Sequence, residues 1–148
     1  MKRILVPLDL RNEPDAIARV VADAARGAGA TVRLLHVAPV PEAVVDVEGR
    51  TVSYADQEAA RLETEALDYL RVIEILLDGI PVESVVRFGD PADEILAEAD
   101  VFGADLIALT AARRTGLRDC LRGGTAMRVC RRADMAVMLL QPPALLAA

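Results

Sequence analysis

Five short apolar runs, separated by four stretches long enough for a helix, constrain this chain more than any other feature. They read RILVPL (3–8), TVRLLHV (31–37), VESVVRF (82–88), DLIALT (105–110) and MAVMLL (135–140). The runs are largely continuous in apolar residues rather than alternating, so both faces of most strands must be covered. Between them the apolar spacing changes to three and four. Pro14 and Asp15 open a helix that Asn12 can cap, with Ile17, Val20, Val21, Ala24 and Ala28 on one face. Gly27 and Gly29 end it. Residues 38–52 read as a connection with a small hairpin turning at Glu48-Gly49.

A long helix is expected next, capped by Ser53 with Asp56, with Ala55, Ala59, Leu62, Ala66, Tyr69, Ile73 and Leu76 inward. Asp90-Pro91-x-Asp93 opens a third helix, with Ile95, Leu96, Ala99 and Phe102 inward, and Gly103 closes it. A short helix follows from about Gly124 to Arg132. This order predicts an α/β fold, a doubly wound five-stranded parallel sheet with helices on both faces.

The 148 residues suit a single domain, expected over 1–141 with a tail at 142–148. A hydrophobic share of 53% with 27% charge excludes a disordered chain. No apolar run reaches the roughly 18 residues of a membrane helix, so no membrane association is expected. MKRILVPLDL does not read as a signal peptide, and the expected location is cytoplasmic. Cys120 and Cys130 are too few and too far apart for a disulfide framework or a zinc site. No metal is expected.

The net charge of −6 is unevenly spread. Residues 1–112 carry −11, whereas 113–148 carry +5, from Arg113, Arg114, Arg118, Arg122, Arg128, Arg131 and Arg132 against Asp119 and Asp134. An acidic body argues against nucleic-acid binding, and the arginines are expected to form a solvated surface.

In a doubly wound sheet, ligands bind beyond the carboxyl ends of the strands, where the winding reverses. Three segments reach that edge: Pro7-Leu8-Asp9, His36-Val37-Ala38 and the stretch from Thr110 to Thr125. Asp9 could accept ribose hydroxyls, face a metal or simply enter a turn. His36, the lone histidine, lies among Leu34, Leu35 and Val37 and is expected in the core. Ser53 reads as a cap and Ser84 as a strand residue, so a hydrolytic triad finds no nucleophile. No catalytic residue is expected. Gly123-Gly124-Thr125 opens the last helix, where bare backbone N–H groups favour an anion such as phosphate.

At this point the chain resembles a family. ILVPLD at the start, LLHV ending the second strand, FGDPADEI entering the third helix and TGLRDCLRGGTAMRVCRRADMAVMLLQ at the end resemble the universal stress proteins. The resemblance implies a five-stranded parallel α/β fold, usually dimeric, in branches that do and do not bind ATP. It implies that Asp9 is the strand-one acid that contacts adenosine and that the Val37 backbone contacts adenine. The ATP-binding branch carries Gly-x2-Gly-x9-Gly-[Ser/Thr] after strand four. Those positions are Thr110, Arg113, Gly123 and Gly124 here, and Thr125 could supply the missing hydroxyl.

The expected function is therefore a non-catalytic regulatory or stress-response protein with a degenerate nucleotide loop. Two alternatives stay open: an ATP- or AMP-binding member, with slow ATP hydrolysis at most, or a module docking an acidic partner through the Arg-rich 113–132 segment. The strand at 135–141 is apolar on both faces and expected at the sheet edge, which a protein must pair or cover. A homodimer through it is expected.

Overall fold

The computed structural model describes residues 2–10, 14–110 and 124–140. The expectations attached to Asn12, Arg113, Cys120, Gly123 and the tail at 142–148 lie outside these described residues.

The chain runs β1 (Arg3–Pro7), α1 (Pro14–Ala28), β2 (Thr31–Ala38), β3 (Val44–Val45) and β4 (Thr51–Ser53). It continues through α2 (Ala55–Leu76), β5 (Val82–Phe88), α3 (Pro91–Phe102), β6 (Leu106–Thr110), α4 (Thr125–Arg132) and β7 (Ala136–Leu140). Five strands form one parallel sheet in the order β5-β2-β1-β6-β7. The chain winds outward from β1 through β2 to β5, then returns to the far side of β1 through β6 and β7. The winding reverses between β1 and β6, and that gap opens a crevice at the carboxyl ends of the strands. The short pair β3–β4 forms a separate antiparallel hairpin in the 38–52 connection.

Continuous apolar strands serve two cores at once, because successive side chains point to opposite faces. Ile4 and Val6 of β1, Val32 and Leu34 of β2, and Leu106 and Ala108 of β6 meet Ile17 and Val21 of α1 and Leu70 and Ile73 of α2. Their neighbours Leu5, Leu35, Ile107 and Leu109 meet Ile95, Ala99 and Phe102 of α3 and Val129 of α4. Helices therefore cover both faces.

Helix α2 departs from expectation at both its cap and its stripe. Ladder pairing of Val44 with Ser53 keeps Ser53 in β4, so Tyr54 takes the cap position and its N–H donates to Gln57 Oε1 at 3.1 Å. Ala66 and Ile73 are buried as expected, but Leu70 and the cap residue Leu77 are buried in place of the expected Tyr69 and Leu76; Tyr69 is partly buried and Leu76 is 40% exposed. The expected positions repeat every 3.5 residues, whereas a straight helix turns every 3.6 and drifts about 20° per heptad. Over about three heptads the drift of roughly 60° tilts the buried face from Tyr69 and Leu76 toward Leu70 and Leu77.

At the edge of the α3 face sits a charged group that the apolar pattern did not reveal. Glu98 of α3 is 3% exposed, and its two oxygens accept from Arg33 Nη1 of β2 and Arg87 Nη1 of β5, each at 2.7 Å. Arg33 also pairs with Glu83 at 2.6 Å and lies 4.2 Å from the centre of the Phe102 ring. Arg87 also pairs with Glu94 at 2.6 Å. These carboxylates raise both guanidinium pKa values against the opposing effect of burial. Asp105 lies just before β6 instead of opening it. Its Oδ2 accepts the N–H groups of Lys2 at 2.7 Å and Arg3 at 2.9 Å, which anchors the start of β1.

Candidate functional site

The crevice at the strand ends is a cleft of about 390 Å³. Each wall comes from a different element. β1 delivers Pro7, Leu8 and Asp9; β2 delivers Leu35, His36 and Val37. β6 ends at Thr110, α4 opens with Thr125 and Ala126, and α3 contributes Pro91 and Ile95. Of the residues singled out in sequence, Pro7, Leu8, Asp9, Val37, Thr110 and Thr125 thus meet in one cavity. Gly124 stands one residue outside it as the N-cap of α4.

Backbone bonds fix the β1–β2 wall. The Leu8 N–H donates to Leu35 O at 2.7 Å, and His36 Nδ1 lies 2.9 Å from Leu8 O. A carbonyl can only accept, so Nδ1 carries the proton. His36 is therefore not a fully buried core residue: it is half-buried, ties β2 to the chain leaving β1, and lines the cleft.

Gly89 aligns the opposite wall. Its N–H donates to Ala38 O at 3.0 Å, which carries the pairing of β2 and β5 one residue past β5. Its φ of 144° suits glycine, and a Cβ there would stand 2.9 Å from Glu94 Oε1. Asp90 then caps α3, with Oδ2 accepting the Asp93 N–H at 3.1 Å, and Pro91 takes the first turn.

The last helix is bound to α3 by two ion pairs. Arg128 donates Nη1 to Asp90 Oδ1 at 3.0 Å and Nη2 to Oδ2 at 2.9 Å. Arg132 donates to Asp93 Oδ1 at 2.6 Å. These two arginines are thus not merely a solvated surface. The Arg128 guanidinium, helped by the Asp93 N–H, holds the Asp90 carboxyl below the usual carboxylate range. On the other side of the sheet, burial pushes the Tyr69 hydroxyl of α2 up to about 12, and the negative charge of Asp9 adds to the rise. Asp9 itself lines the cleft.

The chemistry of the site is that of a binding cleft. Leu35, Val37, Ile95, Leu109 and Ala126 supply apolar surface, and Asp9 supplies an acceptor. The first turn of α4 starts at Gly124, which brings no side-chain cap, and the turn carries no acidic residue. Among the described residues no group of His, Cys, Asp and Glu could hold a metal ion, and no helix is long and apolar enough to cross a membrane. Sequence reasoning missed Leu35, Pro39, Pro91, Ile95, Leu109 and Ala126 as cleft residues, because an apolar side chain carries no signature of the cavity it lines. Gly89 had a signal, a glycine directly before the Asp-Pro of a helix start.

Fold and cleft together define the class: an open, doubly wound α/β domain with a cleft at its switch point, where folds of this kind bind ligands. Residues 1–141 match the universal stress protein family, and the chain belongs to it. A universal stress protein of Methanocaldococcus jannaschii, MJ0531, is 26% identical over 145 residues, covering 96% of this chain and 83% of that protein. Among solved structures, the protein MJ0577 superposes with a TM-score of 0.73 at 24% identity, covering 97% of both chains. A universal stress protein from Archaeoglobus fulgidus in complex with dAMP gives 0.62 at 18% identity, over 94% of this chain and 97% of that one. Another, in complex with cAMP, gives 0.66 at 15% identity, over 96% and 98%.

Proposed function

We propose that this chain is a non-catalytic, regulatory universal stress protein that holds adenosine or AMP in preference to ATP. One observation carries the reading: a single cleft is walled by Asp9, Val37, Thr110 and the Thr125 turn. A volume of about 390 Å³ lies near the lower end of the roughly 300–1,000 Å³ of small-molecule pockets. The apolar walls suit a flat base, and the Asp9 carboxylate suits ribose hydroxyls. The open first turn of α4 suits a phosphate. Two structural neighbours carry nucleoside monophosphates, dAMP and cAMP, which supports a ligand of that size.

Thr110 stands in the cleft where the family's ATP-binding branch has its first loop glycine, and Arg113 replaces the second. The Thr110 side chain lines the cleft, where the bare backbone of a glycine would leave more room for a triphosphate. Titration calorimetry with adenosine, AMP and ATP tests the preference. The expected order places ATP weakest, and Thr110→Gly with Arg113→Gly and Gly124→Ser should improve ATP binding. Micromolar ATP affinity in the wild type, lost in the triple variant, overturns the degenerate-loop reading. The alternative of a module docking an acidic partner through the Arg-rich 113–132 segment would have to draw on arginines other than Arg128 and Arg132, which already pair with Asp90 and Asp93.

The same reading includes a homodimer through residues 135–141 and a cytoplasmic site of action, where adenine nucleotides are abundant. β7 supports the dimer: it is the last strand of the sheet, with β6 on one side only. Light scattering at micromolar concentration should give twice the chain mass, and a monomer mass removes the dimer.

A further inference from the structure

We propose that Asp90 and Arg128 are positioning residues for the cleft. Their forked pair holds the first turn of α4, with Thr125 and Ala126, at a set distance from the first turn of α3, with Pro91 and Ile95. The inference rests on the reading above that the cleft takes a nucleotide.

Three features of the local structure lead here. First, α4 is short, eight residues, and Val129 is its one fully buried side chain among the described residues. A helix this short has little stability of its own and takes its place from whatever it packs on. Second, the Asp90 carboxylate does two jobs. It accepts the Asp93 N–H and so caps α3, and it accepts both Nη groups of Arg128 and so grips α4. A planar guanidinium on a carboxylate defines an orientation as well as a distance, which a lysine ammonium cannot do. Third, the Arg128 N–H donates to Gly124 O at 3.1 Å, so the gripped arginine belongs to the turn that opens the cleft wall. Arg132, four residues on and on the same face, repeats the contact with Asp93 one turn further from the cleft.

The side chains of Arg128 and Asp90 are 41% and 39% exposed. Such exposed pairs add little to global stability. What the pair governs is where the N–H groups of the α4 turn stand relative to a ligand between Pro91 and Thr125. The phosphate end should feel its loss, and the nucleoside end, held by Asp9 and Val37, should not.

The experiment compares wild type, Arg128→Gln, Arg128→Lys and Asp90→Asn, the last chosen because asparagine caps a helix about as well as aspartate. Hydrogen exchange is read in the absence of ligand, and adenosine and AMP are titrated by calorimetry. Arg128→Gln and Asp90→Asn should speed exchange in α4 while leaving α1 unchanged. They should also weaken AMP about fivefold, the scale of an exposed ion pair, with adenosine altered by less than about twofold. Arg128→Lys, which keeps charge without the fork, should fall between. Unchanged exchange in α4 overturns the grip whether or not ligand binds. Faster exchange with equal losses for adenosine and AMP, or with no loss, overturns the positioning role. A wild type that binds neither ligand sinks the nucleotide reading and the positioning role with it, and the exchange rates still decide whether the pair holds α4.

Discussion

Replacing Glu98 by glutamine preserves shape and removes one charge from the α3 face. The carboxylate is 3% exposed and accepts from two arginines at 2.7 Å each. Breaking a fully buried ion pair costs about 3–5 kcal/mol. Two facts reduce that figure here. The Arg33 and Arg87 side chains are 17% and 30% exposed, and each keeps a second carboxylate, Glu83 and Glu94. The glutamine oxygen still accepts from one arginine, but its NH₂ faces the other. Losing one charge-assisted hydrogen bond, worth about 1.5–3 kcal/mol, puts the expected loss at about 2 kcal/mol. For a chain of this length that lowers Tm by about 4–8 °C. Urea unfolding followed by circular dichroism should show a lower midpoint at unchanged slope, since the surface exposed on unfolding is the same. An apolar replacement of the buried triad, Glu98→Leu with Arg33→Met and Arg87→Met, made together with Glu83→Gln and Glu94→Gln so that no carboxylate loses its arginine, should instead come within about 1 kcal/mol of wild type. Glu98→Gln within about 0.5 kcal/mol of wild type would show that the network contributes nothing.

Gly89→Ala forces a methyl group against Glu94 and holds a left-handed φ, so it should destabilise by about 1–3 kcal/mol in the same unfolding assay. Wild-type stability refutes the close approach. Tyr69 titrates in the folded state at about 12, above its ordinary 10.0. Because its folded value is the higher one, its contribution is complete below pH 10 and is lost as pH rises from 10 to about 12. Ultraviolet absorbance of the phenolate should place that midpoint, and Asp9→Asn should lower it; a midpoint at the ordinary value contradicts the burial argument. Random duplex DNA at physiological salt should show no tight binding by fluorescence anisotropy, and nanomolar salt-dependent binding would mean that the arginines form a nucleic-acid surface.

How much of this was legible in sequence depends on the range of the interaction. The strands, the hairpin at Glu48-Gly49 and the Asp90-Pro91 helix start depend on neighbours within a few residues, and they read directly. The doubly wound parallel class also followed, because alternating strands and helices leave few topologies, whereas the strand order itself came only with the structure. The α2 stripe held at Ala66 and Ile73 and slipped at Tyr69 and Leu76, because the period of 3.5 had to be told from 3.6 over only six turns. The Arg128–Asp90 pair spans 38 residues and the Glu98 network joins three elements, so no local pattern could announce either. Glu98 reads as an ordinary exposed helix acid until α3 is laid across β2 and β5. In the cleft, Asp9 and Thr125 stood out by chemistry and position, whereas Ile95 and Leu109 become cleft residues only through strand order.

The division of the apolar interior by the sheet has a consequence for engineering the protein. Side chains between the sheet and α1–α2 are screened from the cleft by a full layer of backbone, and most of the cleft is built from the opposite side. Substitutions at Val21, Val32 or Ile73 share no packing partner with Ile95, Leu109 or Val129. Effects of well-separated sites add within about 0.3–0.5 kcal/mol. Stability gained on the α1–α2 side can therefore be combined with changes of ligand preference made on the α3–α4 side, and the two can be optimised in separate libraries. Leu8 and Tyr69 are exceptions: Leu8 belongs to the first core and also walls the cleft, and Tyr69, packed on that core, feels the charge of the cleft residue Asp9. A substitution at either would be felt in both libraries at once.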